Sequence, residues 1–187
     1  MIKIHVSSCP DIIGILNIRK SKNFKQMKKV GLYYSFNTKK TAQMAKRIVE
    51  NLGKENVEEI NAETLTEDQF TKYDNMILGV PTWFDGELPN YWEEFVPALE
   101  DIDLKGKKVG IYGAGDQKGY PENFVDGIGI MAEIVQNRGA DLAGLTSVKG
   151  YTFEQSRAKK GDRFLGLALD FENQAGKNKE RVAAWCE

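Results

Sequence analysis

The sequence predicts an α/β domain built on a parallel sheet with helices on both faces. Two observations carry that prediction. Short apolar runs alternate along the chain with longer amphipathic segments, the pattern of strands joined by crossover helices. The apolar runs also lack the strict alternation of a one-sided strand, as expected when both faces of a strand are covered. A third observation bears on function. Three of the runs are followed by polar, aromatic or glycine-rich loops, and ligands of open α/β sheets bind at the carboxyl ends of their strands.

Lys29–Tyr34 (KVGLYY) reads as the first buried strand. The polar loop Ser35–Thr41 (SFNTKKT) follows, and Ala42–Leu52 continues as a helix with Met44, Ile48 and Leu52 on one face and Gly53 as its C-cap. Val57–Asn61 is a second strand, and Glu67–Phe70 a single helical turn that Thr66 can cap. Met76–Val80 is the third strand. Pro81 ends it, having no N–H for the ladder, and a helix starts near Asn90. Lys107–Gly113 is the fourth strand and Ala114–Pro121 its loop. Asn123–Asn137 is a helix that presents Phe124, Ile128, Met131 and Val135 together, with Gly139 after it. Asp141–Val148 reads as strand, 149–163 as a long excursion, Phe164–Asp170 as strand again, and Lys177–Cys186 as the closing helix. Residues 27–187 are thus expected to form one domain. Residues 1–26 lack a clean pattern and precede Met27-Lys28-Lys29-Val30, a natural start, so they are expected to be a disordered extension that the fold does not need.

Composition narrows the function classes. With 187 residues, 41% hydrophobic and 28% charged, the chain is an ordinary globular protein in make-up. It has no apolar run long enough to span a membrane, and the basic residues of the extension mostly follow its short apolar run, unlike a secretory signal. Cys9 and Cys186 make no metal-binding or CxxC spacing, and the lone His5 cannot build a triad, so no catalytic or metal-ligating set is expected. A reducing cytoplasm is the simplest setting. The net charge of −1 hides a split: residues 1–26 carry +4, whereas 60–103 hold eleven acids and one base, Lys72. An acidic face argues for a basic partner and against nucleic acid.

The candidate site is assembled from the three loops. Ser35, Phe36, Asn37, Thr38, Lys39, Lys40 and Thr41 stand before a helix N-terminus, where backbone N–H groups and the helix dipole stabilise a phosphate. Pro81, Thr82, Trp83, Phe84, Asp85 and Gly86 follow the third strand, and Gly113, Ala114, Gly115, Asp116, Gln117, Gly119 and Tyr120 close the fourth. Trp83 and Tyr120, one on each loop, can sandwich a planar heteroaromatic ring. There is no Walker loop and no GxGxxG, so a mononucleotide with a flat ring fits better than ATP or a dinucleotide.

PTWFDGELPNYWEEF, GAGDQKGYPENFVDGIG and GYTFEQSRAKKGDRFLGLALDFENQ occur in this order and at a fixed spacing, and with them the chain, from about Met27 to Glu187, resembles the flavodoxins, specifically the long-chain kind. The resemblance implies a five-stranded sheet of order 2-1-3-4-5 and a non-covalently bound flavin mononucleotide (FMN) at the point where the order reverses. It further implies that the protein is a low-potential electron carrier and not itself an enzyme, that 149–163 interrupts the fifth strand, and that the protein is a monomer. It casts Trp83 and Tyr120 as the two stacking surfaces, Asp116 with backbone groups of Gly115 and Gln117 at the pyrimidine edge, and Thr82 with the 35–41 loop at the phosphate. Basic redox proteins, such as a ferredoxin–NADP reductase, and low-potential acceptors are the implied partners, steered by Asp85, Glu87, Glu93, Glu94, Asp101 and Asp103. The excursion is expected to serve a partner rather than to cover the ring.

Two departures from the family pattern matter. The usual phosphate loop reads T-x-[ST]-G-x-T; Phe36 removes a hydroxyl and Lys39 replaces a glycine. Backbone donors survive both changes, and Lys39 and Lys40 are expected to neutralise part of the phosphate charge. Phe84 stands where the resemblance implies a peptide that turns over on flavin reduction. Phenylalanine is disfavoured at positive φ, so this turn is expected to be costly and the half-reduced flavin less stable than usual. Two other readings compete with the carrier: an NAD(P)H-dependent quinone or flavin reductase of the same fold, which needs an open pocket over the ring, and a flavin-free interaction module, which follows if Phe36 and Lys39 abolish the phosphate site.

Overall fold

The computed structural model describes residues 28–187. The expectations placed on His5, Cys9 and the 1–26 extension lie outside the described residues. Strand β1 (Val30–Tyr34) is buried along its whole length, as its unbroken apolar run requires. Helix α1 (Lys39–Leu52) buries Thr41, Met44, Ala45 and Ile48, and ends at Gly53, whose φ of 87° lets its N–H reach the Val49 carbonyl. It starts three residues before the predicted Ala42. Lys39, Lys40 and Thr41 form its first turn, because Ala42 N–H already bonds the Thr38 carbonyl (2.9 Å). Strand β2 (Val57–Asn61) has the predicted bounds. Helix α2 (Glu67–Thr71) is held by a reciprocal cap between Thr66 and Gln69. Strand β3 (Asn75–Gly79) leads to α3 (Asn90–Asp101), and β4 (Lys108–Gly115) to α4 (Asp126–Asn137).

Both boundaries around the fourth loop move. β4 runs two residues past Gly113, so Ala114 and Gly115 belong to the sheet's end. α4 begins at Asp126 and not Asn123, because Val125 sits at φ 52° and breaks the helical path. The predicted apolar face survives this change: Phe124 is fully buried although it lies outside the helix, beside Phe164 and Tyr151.

The predicted strand 141–148 is two strands. β5 (Asp141–Ala143) stops at Gly144, whose φ is 70° and whose carbonyl accepts the Trp185 indole N–H at 2.6 Å. β6 (Thr146–Ser147), β7 (Lys159–Lys160) and β8 (Arg163–Phe164) then form a small antiparallel sheet in the order β6-β8-β7. β9 (Leu167–Asp170) rejoins the main sheet, and α5 (Ala175–Trp185) closes the fold.

The main sheet has the order β2-β1-β3-β4-β5, all parallel, as expected. β4 pairs with β5 through Lys108–Gly110 and with β9 through Tyr112–Gly115. The fifth position is therefore one strand in two pieces, divided by the excursion. Alternation along β1 sends Leu32 and Tyr34 to a core with Met44, Ile48, Leu169 and Val182 under α1 and α5. Tyr33 points to the opposite core, where Trp92, Leu99, Ile128, Met131 and Val135 pack under α3 and α4.

Gly113 is needed for close approach. A Cβ there would lie 2.2 Å from the Val80 carbonyl oxygen and 2.9 Å from an Ile128 side-chain carbon. The first of these is backbone and cannot give way cheaply. Gly113→Ala is therefore expected to destabilise the fold by about 1–3 kcal/mol, read as a lower urea midpoint at unchanged slope.

Candidate functional site

The carboxyl ends of β1, β3 and β4 open into one crevice of about 390 Å³, within the size range of small-molecule sites. Its walls are Thr38, Lys39, Lys40, Thr41, Pro81, Thr82, Trp83, Ala114, Gly115, Asp116 and Tyr120, all predicted, together with Glu172, which was not.

On the α1 side, the helix N-terminus carries no acidic residue in its first turn. The Thr41 hydroxyl oxygen is buried there without a hydrogen-bond partner. A buried hydroxyl is rarely left unpaired, and this one lines the crevice at the positive end of a helix, so the donor set fits a phosphate. Ser35 and Asn37 are used otherwise. The buried Ser35 hydroxyl donates to the Glu63 carboxylate, and the Asn37 amide donates to its other oxygen at 2.6 Å. Glu63 thereby ties the back of the loop to the end of β2. Phe36 is half exposed, with its ring 5.0 Å from that of Tyr34. These three residues shape the loop without lining the crevice.

Trp83 is fixed from two sides. Its N–H donates to Glu87 O (3.0 Å), and its own carbonyl accepts from Gly86 and Glu87 N–H. Its indole meets Tyr91 and Phe84 edge-on, at 6.1 and 6.3 Å between ring centroids. Thr82 accepts the Gly127 N–H on its hydroxyl oxygen (3.0 Å), which leaves the hydroxyl proton available to the crevice. Gly86 and Asp85 belong to the Trp83 turn and stand outside the walls.

Tyr120 is set by the turn beneath it. Its N–H donates to the Asp116 carbonyl (3.0 Å). The Asp116 carboxylate accepts from Gly119 N–H (2.9 Å), Lys118 N–H (3.1 Å) and the Asn173 amide (2.7 Å). These donors, the Gly119 N–H foremost, hold the Asp116 carboxyl below the ordinary aspartate range. Gly119 packs against this carboxylate; a Cβ there would meet it at 2.3 Å. Gln117 is buried with its side chain turned inward, away from the crevice walls.

The geometry has counterparts among known proteins. Residues 32–185 match the family model described as Flavodoxin. The chain belongs to the flavodoxin family. It is 40% identical over 169 residues to a flavodoxin of Klebsiella pneumoniae, covering 86% of this chain and 96% of that one. It is also 40% identical over 160 residues to a flavodoxin of Synechocystis sp., covering 85% and 94%. Among solved structures it resembles the Fusobacterium nucleatum flavodoxin bound to flavin mononucleotide, with a TM-score of 0.81, 34% identity, and 86% and 95% of the two chains covered.

Within the flavodoxin frame, two expectations change. Lys40 is engaged: its ammonium pairs with Glu172, which reaches the crevice from the loop after β9. Lys39 has no carboxylate within 4 Å among the described residues, so only Lys39 is left to face an anion. Phe84, expected to resist positive φ, stands at φ 44° and is 70% exposed. The Trp83–Glu87 bridge imposes this conformation, at a cost of about 1–3 kcal/mol for a non-glycine residue. Glu172 was missed because its proximity depends on β9 ending beside β4, and its local signal is only an acid two residues past a strand.

The Asp116 turn carries a pH signature. A depressed folded-state pKa contributes stability above the unfolded value, near pH 3.9, and loses it as the pH falls through the folded value. Asp116→Ala is expected to lower stability at pH 7 by less than about 1 kcal/mol, because the group is partly exposed. Parent and variant should draw together as the pH falls below the unfolded value, as measured by thermal unfolding of both across pH 2–7.

Proposed function

We propose that the protein is a one-electron carrier that holds FMN in this crevice and exchanges electrons with other redox proteins. The observation that carries the reading is the conjunction in one crevice of an unpartnered Thr41 hydroxyl at an acid-free helix N-terminus with Trp83 and Tyr120 on the two facing loops. When bound, FMN supplies the redox-active ring. The protein's residues do the rest. Thr38, Thr41, Lys39 and the first N–H groups of α1 bind the phosphate. Trp83 and Tyr120 hold the ring flat and keep water from its faces. Asp116 and the backbone at Gly115 and Gln117 orient its polar edge. The Asp116 carboxylate in the crevice wall disfavours negative charge on the ring and so depresses its potential, whereas Glu172 is partly offset by Lys40.

The split fifth strand supports placing the protein with the long-chain flavodoxins. Among the described residues no helix is long and apolar enough to cross a membrane, in keeping with a cytoplasmic setting. Asp85, Glu87, Glu93, Glu94, Asp101 and Asp103 are all exposed. They favour a basic partner, of which a ferredoxin–NADP reductase is one kind, and a monomer that docks only transiently.

Lys39→Gly is expected to weaken FMN binding up to about fivefold at low ionic strength, as an exposed pair allows, with the difference fading by about 1 M salt. Lys40→Asn should change affinity less, since Lys40 is held by Glu172. FMN titrations at two salt concentrations check both. For the carrier reading, the purified protein with FMN should show a flavin spectrum and reduce reversibly in an anaerobic titration. It should oxidise NADPH in the steady state only when a reductase is added. Rapid NADPH oxidation by the protein alone would identify a reductase instead, and failure to bind FMN would leave an interaction module.

A further inference from the structure

The excursion between β5 and β9 lines no part of the crevice, yet its backbone grips the Tyr120 loop directly and backs on the Trp83 turn through Asp126. Thr152 N–H donates to the Gln117 side-chain oxygen. Glu154 and Gln155 N–H both donate to the Pro121 carbonyl, at 2.8 and 3.0 Å. Arg157 N–H donates to the Asp126 carboxylate at 2.7 Å. Asp126 in turn backs directly on Gly86 of the Trp83 turn, where an added Cβ would lie 2.9 Å from its carboxylate.

Gln117 is the centre of this set. It is 1% exposed, and each end of its amide has a different partner. The oxygen takes the Thr152 N–H from the excursion. The nitrogen donates at 2.6 Å to Asp170, a fully buried carboxylate at the end of β9. The other Asp170 oxygen accepts the Glu172 and Asn173 N–H groups at 2.9 and 2.8 Å. Asn173 passes on to Asp116 through its own amide, at 2.7 Å. The chain of contacts therefore runs from the excursion through Gln117 and Asp170 to Asn173, and back to the Asp116 turn on which Tyr120 stands.

We propose that Gln117 is a positioning residue for the flavin site, and that the excursion serves as the buttress of the Tyr120 wall, transmitted through the Thr152–Gln117–Asp170–Asn173–Asp116 relay. This rests on the reading of the crevice as a flavin site. The physical reason is that a buried amide offers two opposite groups, an acceptor and a donor, and both are satisfied only when the 116–120 loop, the excursion and the end of β9 occupy one arrangement. Leaving either partner unpaired in the interior is costly, so the loop has one low-energy position. A glutamate would keep the acceptor for Thr152 but set a second carboxylate against Asp170.

The test uses the full chain, with and without FMN, and three variants: Gln117→Leu, Gln117→Glu, and Gln117→Glu combined with Asp170→Asn. In the flavin-free protein, Gln117→Leu should speed hydrogen exchange at Lys118 and Gly119 N–H by about tenfold, the loss of roughly one buried hydrogen bond. FMN affinity at a temperature where all variants are folded should fall by a similar factor in Gln117→Leu and Gln117→Glu. The double variant restores a donor opposite an acceptor, with the amide and carboxylate exchanged between the two positions, and should recover most of the lost affinity. Lowered melting temperatures with parental exchange at 118–119 and parental FMN affinity would overturn the relay and leave Gln117 a packing residue. Weak binding by both singles without recovery in the double variant would overturn the Gln117–Asp170 link. If the parent itself fails to bind FMN, the flavin reading falls, while the exchange measurement still decides the relay.

Discussion

Parallel pairing brings every strand of the main sheet to the same edge, and the site depends on that constraint more than on any one residue. β1, β3 and β4 each finish at this edge and each releases a loop there. The register must be tight for the loops to converge. Gly113 allows the Val80 carbonyl to lie against β4, and the Val80 N–H bonds Tyr112 O at 2.8 Å. Tyr112, fully buried, donates its hydroxyl to the Thr41 carbonyl at 3.1 Å and so ties the start of α1 to the middle of the sheet. The N-terminus of the helix that faces the crevice is anchored from below by the strand that supplies the opposite wall.

The two sides of the crevice are held differently. The α1 side uses main-chain geometry: an acid-free helix start, with Ser35 and Asn37 spent on Glu63. The ring side relies on side-chain networks. Trp83 is braced by edge contacts with Tyr91 and Phe84, and Tyr120 stands on the Asp116 turn, whose carboxylate is satisfied by three donors. A helix terminus tolerates substitution in its side chains because its donors are backbone. On the proposed reading, this lets Phe36 and Lys39 replace the residues usual in flavodoxins while the backbone donors at the start of α1 remain. The ring side has less latitude, because partly satisfied buried networks are costly.

Much of the fold was legible because its central strands are apolar on both faces and its helices on one. At two of the boundaries that moved, a long-range contact overrides local pattern. The helix expected from Asn123 starts at Asp126, because Val125 adopts φ 52° where Gly115 lies against its backbone. The strand expected over 141–148 breaks at Gly144, which meets Trp185 from 41 residues away. Within the site, the wall residues Thr38, Thr41, Trp83, Asp116 and Tyr120 were readable from loop position and residue type. Glu172 was not, nor was its pairing with Lys40.

The sequence by itself determined the layering, the order in which loops reach the sheet edge, the aromatic pair and the family, because each is written in local periodicity or in contiguous motifs. Only the tertiary structure decided which polar residues face the crevice and which are consumed in holding it. Ser35, Asn37 and Gln117 have the same chemistry as residues that line a site, and a sequence cannot show which way an amide or hydroxyl is turned. That choice is made by Glu63, Asp170 and Thr152, partners 26 to 53 residues distant along the chain, whose buried polar groups must be satisfied wherever the fold places them.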